Sequence, residues 1–283
     1  MAFFSGSIAA SMRDLRQREL VKVVRRYFKK SGRHDLPWRK VQTPYRVFVS
    51  EVMLQQTQVE RVIPKFNAFI KRFPNVVALA KADLRDVYAL WAGLGYNRRA
   101  RYLRDAAKII QEKYKGSVPK SKAALIELPG IGTYTACAIS TFAYGDPEAF
   151  VETNLRTVVL HHCFKDTVAI SDERILGILR ELEPNSGKDA KDWYAALMDY
   201  GAYLKSQGIR LNSRSAHYAK QSAFKGSLRE VRGALLREVA KKRLTESALK
   251  VLPFSATQKK KALLALCREG MLEQKRGAWV LAK

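Results

Sequence analysis

The chain has 283 residues, enough for two domains with substantial cores, and 47% of them are hydrophobic, which excludes an extended, disordered protein. Its 52 lysines and arginines against 26 acidic residues leave a net charge of +26, which points to a polyanionic partner. A ribosomal-type or merely soluble basic protein also fits that charge. The three cysteines, Cys137, Cys163 and Cys267, are far apart and odd in number, which excludes a disulfide framework and a zinc-finger spacing and suggests a reducing compartment. No apolar run approaches the roughly 18 residues of a membrane-spanning helix. The start of the chain lacks the basic region of a signal peptide.

In chain order, residues 12–31 have helical period, with Leu15, Leu20, Val23, Val24 and Tyr27 on one face and Arg25, Arg26, Lys29 and Lys30 on the other. The loop His34-Asp35-Leu36-Pro37-Trp38-Arg39 follows. The spacing then predicts a helix over 44–58, apolar nearly all round and therefore central. Glu51 lies within it, flanked by Val49, Val52 and Met53. A glutamate is rarely buried without a partner or a purpose. Two readings stand open at this point: a solvated helix edge, or a buried functional acid.

Helices are expected at 60–72 and 83–91. The glycine-rich turn Gly93-Leu94-Gly95-Tyr96 leads into the basic helix starting Arg98-Arg99-Ala100-Arg101, which either presents cations to a backbone or is simply solvated. A helix over 120–128 is stopped by Pro129. Gly130 and Gly132 free the backbone to turn, and Thr133, Tyr134 and Thr135 open another helix. A turn of this kind aims N–H groups outward at a helix start and suits a phosphate. A helix beginning at Glu152 runs through Leu160, and others are expected at 171–182 and 190–204, with a polar, basic loop over 205–227. The end is different in kind. Helices at 228–241, 245–252 and 256–269 precede two alternating segments, 271–274 and 278–281, around Lys275-Arg276-Gly277, which suggests a small winged-helix-like module. His161-His162-Cys163 looks like a metal cluster, but adjacent helical residues point apart, and no metal is expected there.

Leu36-Pro37-Trp38-Arg39, the ten-residue block Ser50 to Val59 (SEVMLQQTQV), Gly93-Leu94-Gly95-Tyr96 with Arg99-Ala100-Arg101, Leu128-Pro129-Gly130-Ile131-Gly132 and Ala196-Leu197-Met198-Asp199-Tyr200-Gly201-Ala202 together resemble the MutY-type adenine DNA glycosylases of the helix–hairpin–helix superfamily that contains endonuclease III. The matching segments span roughly residues 20–205. The resemblance implies an all-α, two-lobed helix–hairpin–helix fold: a six-helix barrel lobe with the hairpin over 32–150, and a second helical lobe formed by 1–31 with 151–227. The winged-helix-like module at 228–283 follows them.

The same resemblance implies site residues. Glu51 would protonate the leaving base and help activate water. Glu152 and Asn154 stand at the positions of the family's catalytic Asp and a neighbouring Asn. Tyr134 stands where lyase members carry a Schiff-base lysine, so simple hydrolysis without strand cleavage is expected. Gln55 and Gln56 would enter the opened base stack and Tyr96 would lie beside the opposite base. Gly130 and Gly132, with Thr133 and Thr135, would hold a backbone phosphate together with a monovalent cation, and Arg39 and Arg99 would add to the DNA contact. The partner is duplex DNA carrying a damaged or mispaired base, met by a monomer in the cytoplasm at the nucleoid.

Three departures qualify this. Glu152 replaces the family's Asp. Lys205, Asn212, Ser215 and Gln221 fall where relatives carry the four cysteines of an iron–sulfur cluster, so no cluster is expected. The family's 8-oxoguanine recognition domain is replaced by the short module at 228–283. Adenine is the default target; a thymine or uracil opposite guanine, or a lesion-binding protein that has lost catalysis, are the alternatives.

Overall fold

A computed structural model describes residues 3–164, 168–184, 187–216 and 223–282, with side chains from residue 15 onward. The helices, in chain order, are α1 (Phe3–Ser31), α2 (Pro37–Lys40), α3 (Pro44–Leu54), α4 (Val59–Arg72), α5 (Val76–Ala80), α6 (Leu84–Trp91), α7 (Arg98–Tyr114), α8 (Lys122–Ile126), α9 (Thr133–Ile139), α10 (Thr153–Cys163), α11 (Asp172–Glu181), α12 (Lys188–Ser206), α13 (Leu228–Lys241), α14 (Glu246–Val251) and α15 (Ala256–Arg268). A π-helical segment, Ser140–Tyr144, extends α9, and Asn212–Arg214 form a 3₁₀ turn. Three short strands, β1 (Leu244–Thr245), β2 (Leu272–Lys275) and β3 (Ala278–Leu281), complete the chain. The expected all-helical two-lobed architecture with a small terminal module is present. Among the described residues no helix is long and apolar enough to cross a membrane.

These elements form two compact units: residues 1–40 with 133–220, and 41–132 with 221–283. The chain therefore crosses between units at 40/41, 132/133 and 220/221, against the expected 31/32, 150/151 and 227/228. Buried polar contacts explain the first two shifts. Arg33 and Arg39 both bind Asp199 of α12, which keeps residues 32–40 with the first unit. Gly187 N donates to Gly145 O at 2.7 Å, Lys191 Nζ to Ala143 O at 3.1 Å, and Phe150 stacks on Tyr194 at 4.6 Å. The segment 133–150 is thereby tied to α12.

In the first unit α10 and α12 pack face to face, with α1 and α11 against them. Leu20, Val24, Leu155, Val158, Leu160, Ile175, Leu179 and Leu197 are fully buried, and Trp193 and Tyr194 are part of the same core. Leu15, expected on the apolar face of α1, is 62% exposed. Gly201 lets α12 approach α10: a Cβ there would lie 2.4 Å from the Asn154 carbonyl oxygen.

In the second unit α3 is the central helix, with Tyr45 and every residue from Val47 to Met53 buried. Pro44 occupies its first turn and Thr43 caps it, the hydroxyl accepting from Arg46 N at 3.3 Å. Phe48 of α3 and Phe66, Phe69, Phe73 and Trp91 from the following elements are all buried. The terminal module belongs to this unit. Its sheet has the order β1-β3-β2, all antiparallel, and Arg276 and Gly277, both with positive φ, make the two-residue hairpin turn. Ser255 and Gln258 form a capping box at the start of α15. The module is held to α7 by charge. Glu269 accepts from Arg98 and from Arg232, and Arg101 donates to the backbone oxygens of Glu269 and Gly270. Burial pushes the Glu269 carboxyl up, but the two guanidinium groups more than offset this and bring it down to about 2.

Candidate functional site

The second unit carries Glu51, the glutamine pair, Tyr96, and the turn that follows α8. Glu51 is 6% exposed in the middle of α3, so its buried reading is the one the structure supports. Three residues later α3 ends, four short of the expected boundary. Arg99 is the cause. Its guanidinium donates to the carbonyls of Val52, Met53 and Gln55 at 2.8, 2.9 and 2.6 Å, the acceptors a helix end leaves open. It also reaches Thr57 Oγ1 at 2.9 Å and Gly95 O at 3.1 Å. Burial lowers the Arg99 pKa to about 10. The sequence placed Arg99 in the DNA contact; the structure places it inside the protein, locking the Gln55–Gln56 turn to the Gly93–Tyr96 turn.

Both locked turns hold a non-glycine residue in the left-handed region, Gln56 at φ 53° and Tyr96 at φ 47°. Such a conformation costs on the order of 1 kcal/mol or more for each residue and persists where the surroundings impose it. Gln55 Nε2 donates to Gly130 O at 3.2 Å, joining this turn to the one after α8. Gly130 needs to be glycine twice over. Its φ is +77°, and a Cβ would lie 2.9 Å from the Tyr102 ring. Gly132 is exposed, with open space where its Cβ would stand.

The first unit carries the remaining residues. Thr133 is exposed at the start of α9, whereas Thr135 is 3% exposed and faces the core. The Tyr134 ring meets Phe150 edge-on at 5.4 Å. Glu152 is the N-cap of α10: Oε1 accepts from the backbone N–H groups of Asn154 at 2.7 Å and Leu155 at 2.9 Å. Oε2 accepts from the Thr153 hydroxyl at 3.1 Å and Asn154 Nδ2 at 3.2 Å. Lys205 Nζ donates in turn to Thr153 Oγ1 at 3.3 Å. Burial lowers the Lys205 pKa, while Glu152 acts to raise it.

Arg39, expected at the DNA, is instead bidentate on Asp199 at 2.7 and 3.0 Å. Burial of Asp199 raises its carboxyl pKa, but Arg39 and Arg33 more than offset this and hold it below the usual carboxylate range. A buried carboxylate held by two arginines is a scaffold element.

The positions expected to replace cluster cysteines have other partners. Besides the Lys205 contact, Asn212 Nδ2 donates to Thr153 O at 3.2 Å and Thr157 Oγ1 at 3.0 Å. Ser215 is buried in the bridge to Ile170, and Gln221 lies outside the described residues. An iron–sulfur cluster needs thiolates, and these side chains offer none. His162 is hydrogen-bonded with Tyr200 at 3.2 Å, and burial, with His161 beside it, lowers its pKa to about 4. Among the described residues no three His, Cys, Asp or Glu side chains are grouped to hold a metal ion.

Two features escaped the sequence. One is the Lys205–Thr153–Glu152 chain, which no spacing announces. The other is Arg229 of α13, whose Nη1 donates to the Tyr96 hydroxyl at 2.6 Å. Its only signal was the excess of basic residues in the terminal module.

Residues 49–198 match the model of the HhH-GPD superfamily base excision DNA repair proteins. The chain is 36% identical to an adenine DNA glycosylase of Mycolicibacterium smegmatis, over 86% of this chain and 89% of that protein. It is 44% identical to an adenine DNA glycosylase of Buchnera aphidicola subsp. Baizongia pistaciae, over 46% of this chain but only 37% of that longer relative. In fold it is similar to a thermostable thymine-DNA glycosylase, with a TM-score of 0.60 and 22% identity over 72% of this chain and 97% of the other. The chain belongs to the HhH-GPD superfamily of base excision DNA repair proteins, on its adenine DNA glycosylase branch.

Proposed function

We propose that this protein is a monofunctional adenine DNA glycosylase that binds duplex DNA as a monomer and releases a mispaired or damaged adenine by hydrolysis. The observation that carries the proposal is Glu51, buried in the middle of α3 and followed within five residues by a Gln55–Gln56 turn that Arg99 locks. Burial favours the protonated form of a carboxyl group, which is the form an acid catalyst needs. The likeness to adenine DNA glycosylases and the ten-residue block around Glu51 support adenine as the base.

A base inside a duplex must be turned out of the stack before its glycosidic bond can be reached. As the bond between C1′ and the base nitrogen breaks, its electron pair goes to the adenine, which takes the proton of Glu51. The sugar becomes oxocarbenium-like, and the Glu152 carboxylate, with Asn154 beside it, opposes that charge. Water adds to C1′ and returns a proton to Glu51. Adenine and an abasic site are the products. Tyr134 has no amine, so no imine forms and the strand stays intact. Gly130, Gly132 and Thr133 offer exposed backbone to a phosphate, with a monovalent cation between them. No iron–sulfur cluster takes part, and Lys205, Asn212 and Ser215 hold the loop after α12 by hydrogen bonds instead.

The test is excision from duplexes carrying adenine opposite 8-oxoguanine or guanine, hypoxanthine, and uracil or thymine opposite guanine, with alkali to reveal abasic sites. Alkali-dependent breaks at adenine are expected. Bound but uncut DNA on every substrate would defeat the enzyme reading, and breaks without alkali, trapped by borohydride, would defeat hydrolysis alone. Iron and sulfide analysis of the purified protein should find neither.

A further inference from the structure

The terminal module has a side that the reaction above does not use. Its elements run α13, β1, α14, α15, β2, β3, and the sheet has the order β1-β3-β2. The turn 252–255 joins α14 to α15, and Lys259 locks it. Its Nζ donates to the carbonyls of Leu249, Lys250 and Leu252 at 3.1, 3.3 and 3.2 Å, the acceptors left open where α14 ends. α15 buries one side through Ala262, Leu263 and Leu266. The opposite side shows Ala256, Thr257, Lys260, Lys261, Leu264 and Arg268 to solvent. By helical period these residues span about 140° of the circumference, with Leu264, 56% exposed, near the middle.

This face has one sign of charge. α15 contains no acidic residue, although a helix start favours one. Its capping box is closed by Gln258, which also donates to Gly226 O at 3.1 Å. On α13, by contrast, Arg232 is paired with Glu269 at 2.8 Å. Lys260, Lys261 and Arg268, and Arg276 at the exposed tip of the β2–β3 hairpin, have no carboxylate partner among the described residues. The shape is as definite as the charge. A helix about 10–12 Å across fits the roughly 12 Å major groove of duplex DNA. A single strand would call for aromatic rings to stack on, and the exposed face of α15 carries none.

We propose that this face is a second contact with duplex DNA, additional to the residues of the proposed reaction: α15 lies in the major groove, and Arg276 meets the backbone beside it. The lysines act as point charges and not as forks, and Gln258, the one amide side chain of α15, is occupied in the capping box. The contact is therefore to phosphates and holds in any sequence. Leu264 sits between the cations, where a major groove offers methyl groups and open solvent offers nothing. The locked α14–α15 turn keeps the helix at a fixed angle to the rest of the module.

The test does not depend on excision. The full-length protein is bound to a fully matched duplex and to a single strand of the same length, and affinity is followed against salt concentration. The slope of log K against log salt reports the phosphates neutralised, at about 0.9 for each contact on a duplex. Lys260→Ala combined with Lys261→Ala should lower the duplex slope by roughly 2, and Arg276→Ala by roughly 1. Lys260→Arg combined with Lys261→Arg keeps both charges and should keep the slope. The single strand should show no such change. A duplex slope unmoved by the alanine variants would overturn the proposal and mark the face as solvated or as the seat of an acidic protein. An equal fall on the single strand would overturn the groove contact. A slope that also falls in the arginine pair would mark damage to the module and overturn the proposal as well. Excision is scored separately on adenine substrates. A lowered slope in a protein that excises nothing removes the enzyme reading and leaves this surface; excision with an unmoved slope removes the surface and leaves the enzyme.

Discussion

The two glutamates at the centre of the proposed reaction sit in opposite kinds of surroundings. Glu51 lies midway along a helix buried on nearly every side, among Val49, Val52 and Met53. Glu152 lies at the start of α10, half-buried, with both oxygens accepting hydrogen bonds from backbone N–H groups or polar side chains. The first carboxyl group is withdrawn from solvent, and the second is fixed by donors at both oxygens. The fold places one residue type for two different tasks by these surroundings alone, since both are glutamate.

The comparison breaks most sharply at Glu51. Glu51→Gln keeps the shape and removes the transferable proton. Single-turnover excision of adenine should fall by about a thousandfold or more, within reach of what a positioned general acid contributes. Binding to the same duplex should stay within about threefold. Unchanged excision would remove Glu51 from the reaction.

The buried ion pairs of the first unit give the next effect. Asp199 is 1% exposed at its side chain and holds both Arg33 and Arg39. Asp199→Asn leaves two guanidinium groups facing a neutral partner, and the loss should approach the roughly 3–5 kcal/mol seen when a buried pair is broken. Urea unfolding followed by circular dichroism measures it. The sign with pH follows from the depressed Asp199 value. The stabilisation is complete above the unfolded carboxyl pKa of about 3.9 and disappears as pH falls through the lower folded value. The variant should therefore lose part of the wild type's acid sensitivity below about pH 4.

The sequence announced α1 by its helical period, α3 by its nearly continuous apolar surface, and the terminal module down to the Arg276–Gly277 turn. These depend on neighbours within a few residues. What it did not announce depends on partners far away. The end of α3 is set by Arg99, 47 residues from Val52. Arg39 and Arg99 look like DNA-facing cations because sequence shows charge but not the acceptors that use it. Arg229 meets Tyr96 across 133 residues. Of the site, the Glu51 block and the Gly130 turn were legible from their motifs. The polar support of Glu152 was not, because Lys205 and Asn212 could be read only as positions that are not cysteine.

Glu152 itself carries the next test. Aspartate also caps helices well, so Glu152→Asp should change stability by only about a few tenths of a kcal/mol. The carboxylate, however, would retreat by about one bond length from the groups arranged around it. Misplacement on that scale can cost up to about a hundredfold, and a loss of about tenfold in single-turnover excision is expected. A faster variant would mean that Thr153, Asn154 and Lys205 are not built around the longer side chain.

The smallest effect tests the link from Lys205 to Glu152. Lys205 reaches it through the Thr153 hydroxyl, a contact of 3.3 Å followed by one of 3.1 Å. Replacing Lys205 with Met keeps most of the packing volume and removes the charge. Excision at neutral pH should fall only about threefold, because the two backbone N–H groups still hold Oε1. Thr153→Val breaks the link but leaves the lysine, and should lower the single-turnover rate the same way by less. A rate that falls for Lys205→Met and is unmoved for Thr153→Val would mean that Lys205 only packs against its neighbours. A fall in both would show that a position held by a cluster thiolate in the family pattern here serves Glu152.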